Sequence, residues 1–176
     1  MEIEWTLASP LHDIDDVVKL GEKLLALEGS VLKTDPYVFR HQITMIAANQ
    51  VFDKTRDFFA VARDVSHGLV SLPDYKLLGY CIFDRGGYTT YSREEISNAK
   101  FHHLSLDLPV RTRVRLIHDM INQHILWALK NNIPVICSTS IRSEHSGFMR
   151  IHEKHGFTVH GSYAWVRTEN AKVVEC

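Results

Sequence analysis

The chain has 176 residues, 45% of them hydrophobic, enough apolar side chain for one sizeable core. Its 20 Lys and Arg against 21 Asp and Glu leave a formal charge of -1, so the chain as a whole advertises neither a nucleic-acid nor a membrane surface, and any basic site must be local. The three cysteines, Cys81, Cys137 and Cys176, are odd in number and lack Cys-x-x-Cys spacing, which argues against a disulfide framework or a cysteine zinc site and fits a reducing cytoplasm.

Ile3, Trp5 and Leu7 alternate with polar neighbours and predict a strand with one buried side. This opening lacks the basic start and apolar core of a signal peptide, and nowhere do 18 apolar residues run together, so nothing directs the chain to a membrane. Ser9-Pro10 is expected to cap and start a helix whose stripe is Ile14, Val17, Val18, Leu24 and Leu25, ending at Gly29. Asp35-Pro36 repeats the device for a second helix with Phe39, Ile43, Ile46 and Ala47 inward. Residues 58–62 and 77–83 read as antiparallel strands joined through Gly68 and Pro73. The polar stretch 84–100 reads as a long loop in a position to border a site.

Leu104, Leu106 and Leu108 then alternate with His103, Ser105 and Asp107, which predicts a strand over 103–108 with a chemically active polar face. A long helix is expected over 112–130, with Val114, Ile117, Ile121, Ile125 and Ala128 along one stripe and Leu116, Met120 and Trp127 beside it. A strand over 133–137, a helix from Ser143 or Ser146 to about His155, and strands over 157–160 and 163–167 around Gly161 complete the chain. The order β-α-α-β-β-β-α-β-α-β-β neither alternates regularly nor segregates strands from helices. It predicts an α/β chain of the α+β type, a mixed sheet covered by helices, as one domain over residues 1–176.

Two segments carry a resemblance. Leu77-Leu78-Gly79-Tyr80 is similar to the third strand, and Phe148-Met-Arg-Ile-His-Glu-Lys-His-Gly-Phe157 to the last helix and Gly-Phe turn, of the Gcn5-related N-acetyltransferase (GNAT) family. With the strand, long helix and strand before it at matching distances, the chain resembles that family over essentially its whole length. The resemblance implies a GNAT-like, mostly antiparallel central sheet flanked by helices in a single acyltransferase domain. It implies acetyl-CoA as co-substrate, its pantetheine arm between strands 103–108 and 133–137 and its pyrophosphate on the N-terminus of the long helix. The family's phosphate loop uses small residues, usually glycines. Here, with Thr112 as the opening position, Arg115 and Ile117 stand there; with Arg111 opening, Val114 and Leu116 do. Either Arg111, Arg113 and Arg115 replace backbone donors with guanidinium groups, or the loop no longer binds a nucleotide and the arginines serve another anion or face solvent. On the first reading the cofactor-binding set is Leu108, Pro109, Arg111, Thr112, Arg113, Arg115 and His145, which stands where the family often has Asn.

The family's thiolate-protonating Tyr corresponds to His152, which either donates that proton or is a partly buried helix residue. Asp107 is the first candidate for the base that deprotonates an amine, with His103 as second; the alternatives for Asp107 are a solvated face or a turn cap at Pro109. Eleven histidines predict a change of charge between about pH 5.5 and 7. Among His102, His103, His118, His124, His152 and His155 only His152 and His155 have close ligand spacing, so no metal is expected. Cys137 is assigned to the core, and no Gly-x-Ser-x-Gly, Walker or dinucleotide fingerprint occurs.

Three functions follow. The first is an N-acetyltransferase moving acetyl from acetyl-CoA to an amine on a small molecule or protein. The second is a catalytically decayed GNAT-fold binding or assembly protein acting through a protein partner; some phage-encoded proteins of the fold have comparably divergent loops, and the sequence is similar to them in that respect. The third, nucleic-acid binding through Arg111, Arg113, Arg115 and His102-His103, is opposed by the neutral net charge. The chain is expected to be a monomer, or a homodimer through its last strands.

Overall fold

A computed structural model describes residues 1–27, 33–66, 75–140 and 146–160. The elements are β1 (Ile3–Leu7), α1 (Ile14–Leu27), α2 (Pro36–Phe52), β2 (Asp57–Asp64), β3 (Leu77–Gly87), β4 (Ile96–Leu104), α3 (Val110–Lys130), β5 (Val135–Cys137) and α4 (Ser146–Lys154). The strands lie in the order β1-β2-β3-β4-β5, antiparallel from β1 to β4, with β5 added parallel to β4. The fold is thus the mixed sheet flanked by helices that the element order predicts, and it is mostly antiparallel as the resemblance implies.

Period-two alternation along the strands separates two cores. Ala60, Ala62, Cys81 and Phe83 pack with Leu116, Met120, Trp127 and Ala128 of α3. Phe59, Val61, Tyr80 and Ile82 face Val17 and Val18 of α1 and Phe39, Ile43 and Ala47 of α2. Leu78 is the extra residue where β2 and β3 slip register between Ala62 and Arg63. Asp35 caps α2 as predicted, its Oδ1 accepting from the Tyr37 and Val38 N–H groups. Gln50, near the end of that helix, is buried and bonds both the N–H and the carbonyl of Phe59.

Several boundaries move. The helix expected at Ser9-Pro10 begins at Ile14, after a single turn in which the Asp13 N–H bonds the Ser9 carbonyl and the Asp13 carboxylate holds the Ser9 N–H and the buried Arg63. Leu7 is exposed at the strand end, so the buried side of β1 is Ile3 and Trp5. The predicted 84–100 loop shrinks to 88–95, since β3 runs on to Gly87 and Arg85 is held to Glu95 by two hydrogen bonds. The strand expected over 103–108 is instead Ile96–Leu104: pairing with β3 overrides the leucine alternation, which continues through a turn into α3. α3 starts at Val110, and its buried stripe is Leu116, Met120, Ile121, His124, Trp127 and Ala128, leaving Val114 exposed.

β5 is confined to Val135–Cys137, and Cys137 is only partly buried. Residues 157–160 form no strand: Gly156 turns the chain at φ +83° and the Phe157 N–H bonds back to the His152 carbonyl, closing the end of α4. Gly29, Gly68, Pro73, Ser143, His145, Gly161, the 163–167 strand and Cys176 lie outside the described residues. No helix among the described residues is long and apolar enough to cross a membrane.

Candidate functional site

The ladder between β4 and β5 consists of Ile96↔Val135, Ser97↔Ile136 and Asn98↔Cys137, and then stops. Lys100 is the extra residue in a bulge opposite Ile82 and Phe83, its ammonium held 2.9 Å from Asp84. Beyond it β4 keeps β3 on one edge and has no described strand on the other. A cleft of about 410 Å³ opens there, between the stretch of β4 from Lys100 to Leu104, Thr139 and Ser140 after β5, and the apolar flanks of α3 and α4 at Ile117, Phe148 and Ile151. Gly79 lets β3 approach the far side of this edge: a Cβ there would lie 2.7 Å from the His103 carbonyl oxygen.

One end of the cleft meets the start of α3. Pro109 stands at its N-cap and supplies no side-chain hydrogen bond, so the first N–H groups of the helix are left for another acceptor. Leu108 is buried in the core and Pro109 is exposed. Of the three arginines only Arg113 lines the cleft, and its Nε is buried without a hydrogen-bond partner. Arg111 is exposed, Thr112 is half-buried outside the cleft wall, and Arg115 is exposed with Asp119 3.9 Å away. Four apart, Arg111 and Arg115 share one face of α3, while Arg113 between them points to the opposite one, and that is the face the cleft meets.

The candidates for proton transfer separate in the same way. His103 lines the cleft, buried, with its Nδ1 2.6 Å from the Tyr80 hydroxyl. Asp107 lies on the turn after β4, its side chain 67% exposed and ion-paired to Lys23 at 2.9 Å; that bond holds its carboxyl below the usual range. His103, Ser105 and Asp107 therefore share no strand face, because β4 ends at Leu104. His152 is 1% exposed and stands behind the cleft wall rather than in it. Its Nδ1 lies 3.0 Å from the Phe148 carbonyl, an acceptor only, so Nδ1 carries the proton and Nε2 is a buried lone pair without a partner.

His102 occupies the wall, its ring 5.5 Å from Phe83, 5.7 Å from Phe148 and 6.0 Å from His152, with Nε2 also unpartnered. Behind it His124 stacks on Phe83 at 4.0 Å and bonds the Ser97 hydroxyl at 2.6 Å. Burial pushes all three imidazoles below their ordinary range, His102 well below and His124 down to about 3, each also opposed by a neighbouring histidine. His118 Nδ1 meets His155 Nε2 at 2.8 Å, joining α3 to α4, and His155 is lowered by burial and by His118. Among the described residues no group of three or more His, Cys, Asp or Glu converges on a metal position.

Lys100, His102, Thr139 and Ser140 escape the sequence reading as wall residues. Once β4 is set seven residues too late, its paired first half and Lys100 fall inside the supposed loop, and His102 falls between that loop and the supposed strand. The one available signal was the alternation of Ser97, Ala99 and Phe101 before the leucines.

No protein-family model matches the chain, and no curated protein matches it in sequence. Solved structures do match in fold. A predicted acetyltransferase of Clostridium acetobutylicum, solved with acetyl-CoA, superposes with a TM-score of 0.63 at 13% identity over 97% of this chain and 99% of that one. An aminoglycoside 6'-N-acetyltransferase of Acinetobacter baumannii gives 0.63 at 10% identity over 95% and 98%. Glucosamine-6-phosphate N-acetyltransferase of Arabidopsis thaliana gives 0.62 at 7% identity over 96% and 99%. The mixed five-stranded sheet of the described residues, with its parallel fifth strand and four flanking helices, has the fold of the GNAT acetyltransferases.

Proposed function

We propose that this protein is an acyl-CoA-dependent N-acetyltransferase, transferring acetyl from acetyl-CoA to an amine on a small molecule or a protein. The observation that carries the reading is the cleft where β4 and β5 part. Its features fit the cofactor: a strand edge that no described strand covers beyond Asn98 for the amides of a pantetheine arm, a helix start that Pro109 leaves without a side-chain cap for phosphate, and one partly buried guanidinium with an orphaned Nε. Arg113 stands in for the missing loop glycines, adding charge-assisted donors beside the N–H groups at the start of α3.

His103 is the residue we assign to the amine. The nitrogen attacks the thioester carbonyl, its proton passes to His103, and the carbon–sulfur bond breaks to release CoA as thiolate. Tyr80 holds the imidazole in position through its hydroxyl. Asp107, paired with Lys23 outside the cleft wall, takes no part in this scheme. One observation favours a second reading, a protein of this fold that binds without transferring: the position of the family's acid, His152, is withdrawn behind the wall.

Calorimetric titration with acetyl-CoA and with free CoA tests the proposal. The expected result is micromolar binding that Arg113→Ala weakens by about tenfold or more, the loss of one charge-assisted contact, with the melting temperature unchanged. No binding of either ligand rejects the acyl-CoA reading. Binding without turnover on any amine panel, unchanged by His103→Gln, favours the second reading.

A further inference from the structure

Helix α2 is apolar on two sides. Its inner face, Phe39, Ile43, Ala47 and Gln50, is buried against the sheet. The opposite face carries Val38, His41, Met45, Ala48 and Phe52, a seam at alternating steps of three and four residues, the spacing of a helix that packs against another helix. Val38 is 52% exposed, Met45 44% and Phe52 90%, with Tyr37 at 81% and Val51 at 60% widening the stripe. The one Lys, Arg, Asp or Glu in the helix is Arg40, and its guanidinium is bonded to Asp15 on α1 at 2.6 Å. A solvated helix face normally carries charge; this one carries none.

We propose that this seam joins two copies of the chain, α2 against α2 in antiparallel register about a twofold axis at Met45. The seam is self-complementary in that register. Val38 of one copy faces Phe52 of the other, His41 faces the small Ala48, and Met45 meets its own counterpart on the axis, where its unbranched side chain can adjust to itself. With Tyr37 and Val51 the apolar side chains of the stripe expose roughly 600 Å² per copy, so their complete burial on both copies would remove at most roughly 1,200 Å², the lower bound of a specific interface. A patch of that size left in water stands at the upper end of what monomers carry. The surface lies on the α1/α2 side of the sheet, away from α3 and α4, so the dimer leaves the helical flank of the cleft open. The dimer expected from the last strands uses a different part of the chain.

Sedimentation velocity of the full chain from low micromolar to submillimolar concentration tests the proposal. The expected result is a concentration-dependent monomer–dimer equilibrium. Met45→Lys places two ammonium groups beside the axis and is expected to leave a monomer of unchanged helix content. Phe52→Glu, at the most exposed position of the seam, is expected to do the same should the first variant fold poorly. Combining Val38→Lys with Phe52→Glu sets opposite charges across the contact and is expected to recover the dimer. A wild-type chain that stays monomeric throughout overturns the proposal, as does a dimer that survives both Met45→Lys and Phe52→Glu. A combined variant that remains monomeric overturns the antiparallel register.

Discussion

The two faces of the sheet treat buried polar groups in opposite ways. Under α1 and α2, Arg63 is 2% exposed and its donors all find acceptors: Asp13 at 2.7 Å, Asp16 at 3.1 Å and the Tyr75 carbonyl. Gln50 is matched to Phe59 with equal completeness. Under α3 and α4 the Ser97 hydroxyl and His124 pair with each other, but His102, His152 and Arg113 each keep a buried nitrogen without a partner; away from these helices Asp84 Oδ1 and the Thr89 and Ser138 hydroxyls are also left without one. An unsatisfied buried group costs about 1–3 kcal/mol, so the second face is held in a less relaxed state than the first. It is the face on which the cleft opens. The contrast separates polar groups that the fold pairs with one another from polar groups that it leaves without a partner.

The contrast can be broken at Arg63. Arg63→Met removes the partner of two carboxylates, one of them buried, and is expected to cost about 3–5 kcal/mol, read as a large fall in the urea midpoint at neutral pH. A loss below 1 kcal/mol would mean that this face is no better satisfied than the other.

pH sharpens the contrast from the other side. The folded state holds His102, His124 and His152 neutral, whereas the unfolded chain protonates them near pH 6.5. Because the folded values are depressed, their contribution is fully present above about pH 6.5 and is lost as pH falls. His124 alone takes away about 2 kcal/mol between pH 7 and 5. Urea melts at the two pH values are expected to show the loss, and His124→Phe to diminish it. A curve flat across that range would place the three imidazoles in water rather than in the core.

The smallest effect is expected at Asp107. Its ion pair with Lys23 is exposed and screened, so Asp107→Asn should leave both the melting temperature and acetyl-CoA affinity unchanged within error. A loss of turnover without loss of binding would return Asp107 to the proton-transfer scheme.

Local chemistry was legible in proportion to how local its cause is. The Asp35 cap needs only residues three apart, and the buried stripe of α2 only one helix face, so both stand where the sequence puts them. The β2 and β3 segments are likewise readable, because four or five β-prone residues between polar stretches have one stable use. The position of β4 was not. Leu104, Leu106 and Leu108 alternate as a strand should, yet only Leu104 belongs to one; Leu106 lies in the turn beside the cleft and Leu108 seats the start of α3. Register with β3, set 20 residues away in the chain, decides which of these alternating residues pair. The same limit applies to the site. Three arginines within five residues are visible in sequence, but which one enters the cleft depends on how α3 is rotated against the sheet.

By itself the sequence determined the order of elements as far as α4, the helix cap at Asp35 and the mixed helix-covered sheet. Those follow from periodicity, capping and composition, which act over a few residues. Only the tertiary structure decided that β4 parts from β5 after Asn98, that Arg113 rather than Arg111 or Arg115 faces the gap, that His103 lines it while His152 is walled off, and that Asp107 stands outside. Each of these depends on strand register or helix rotation, and both are set by contacts between residues far apart in the chain.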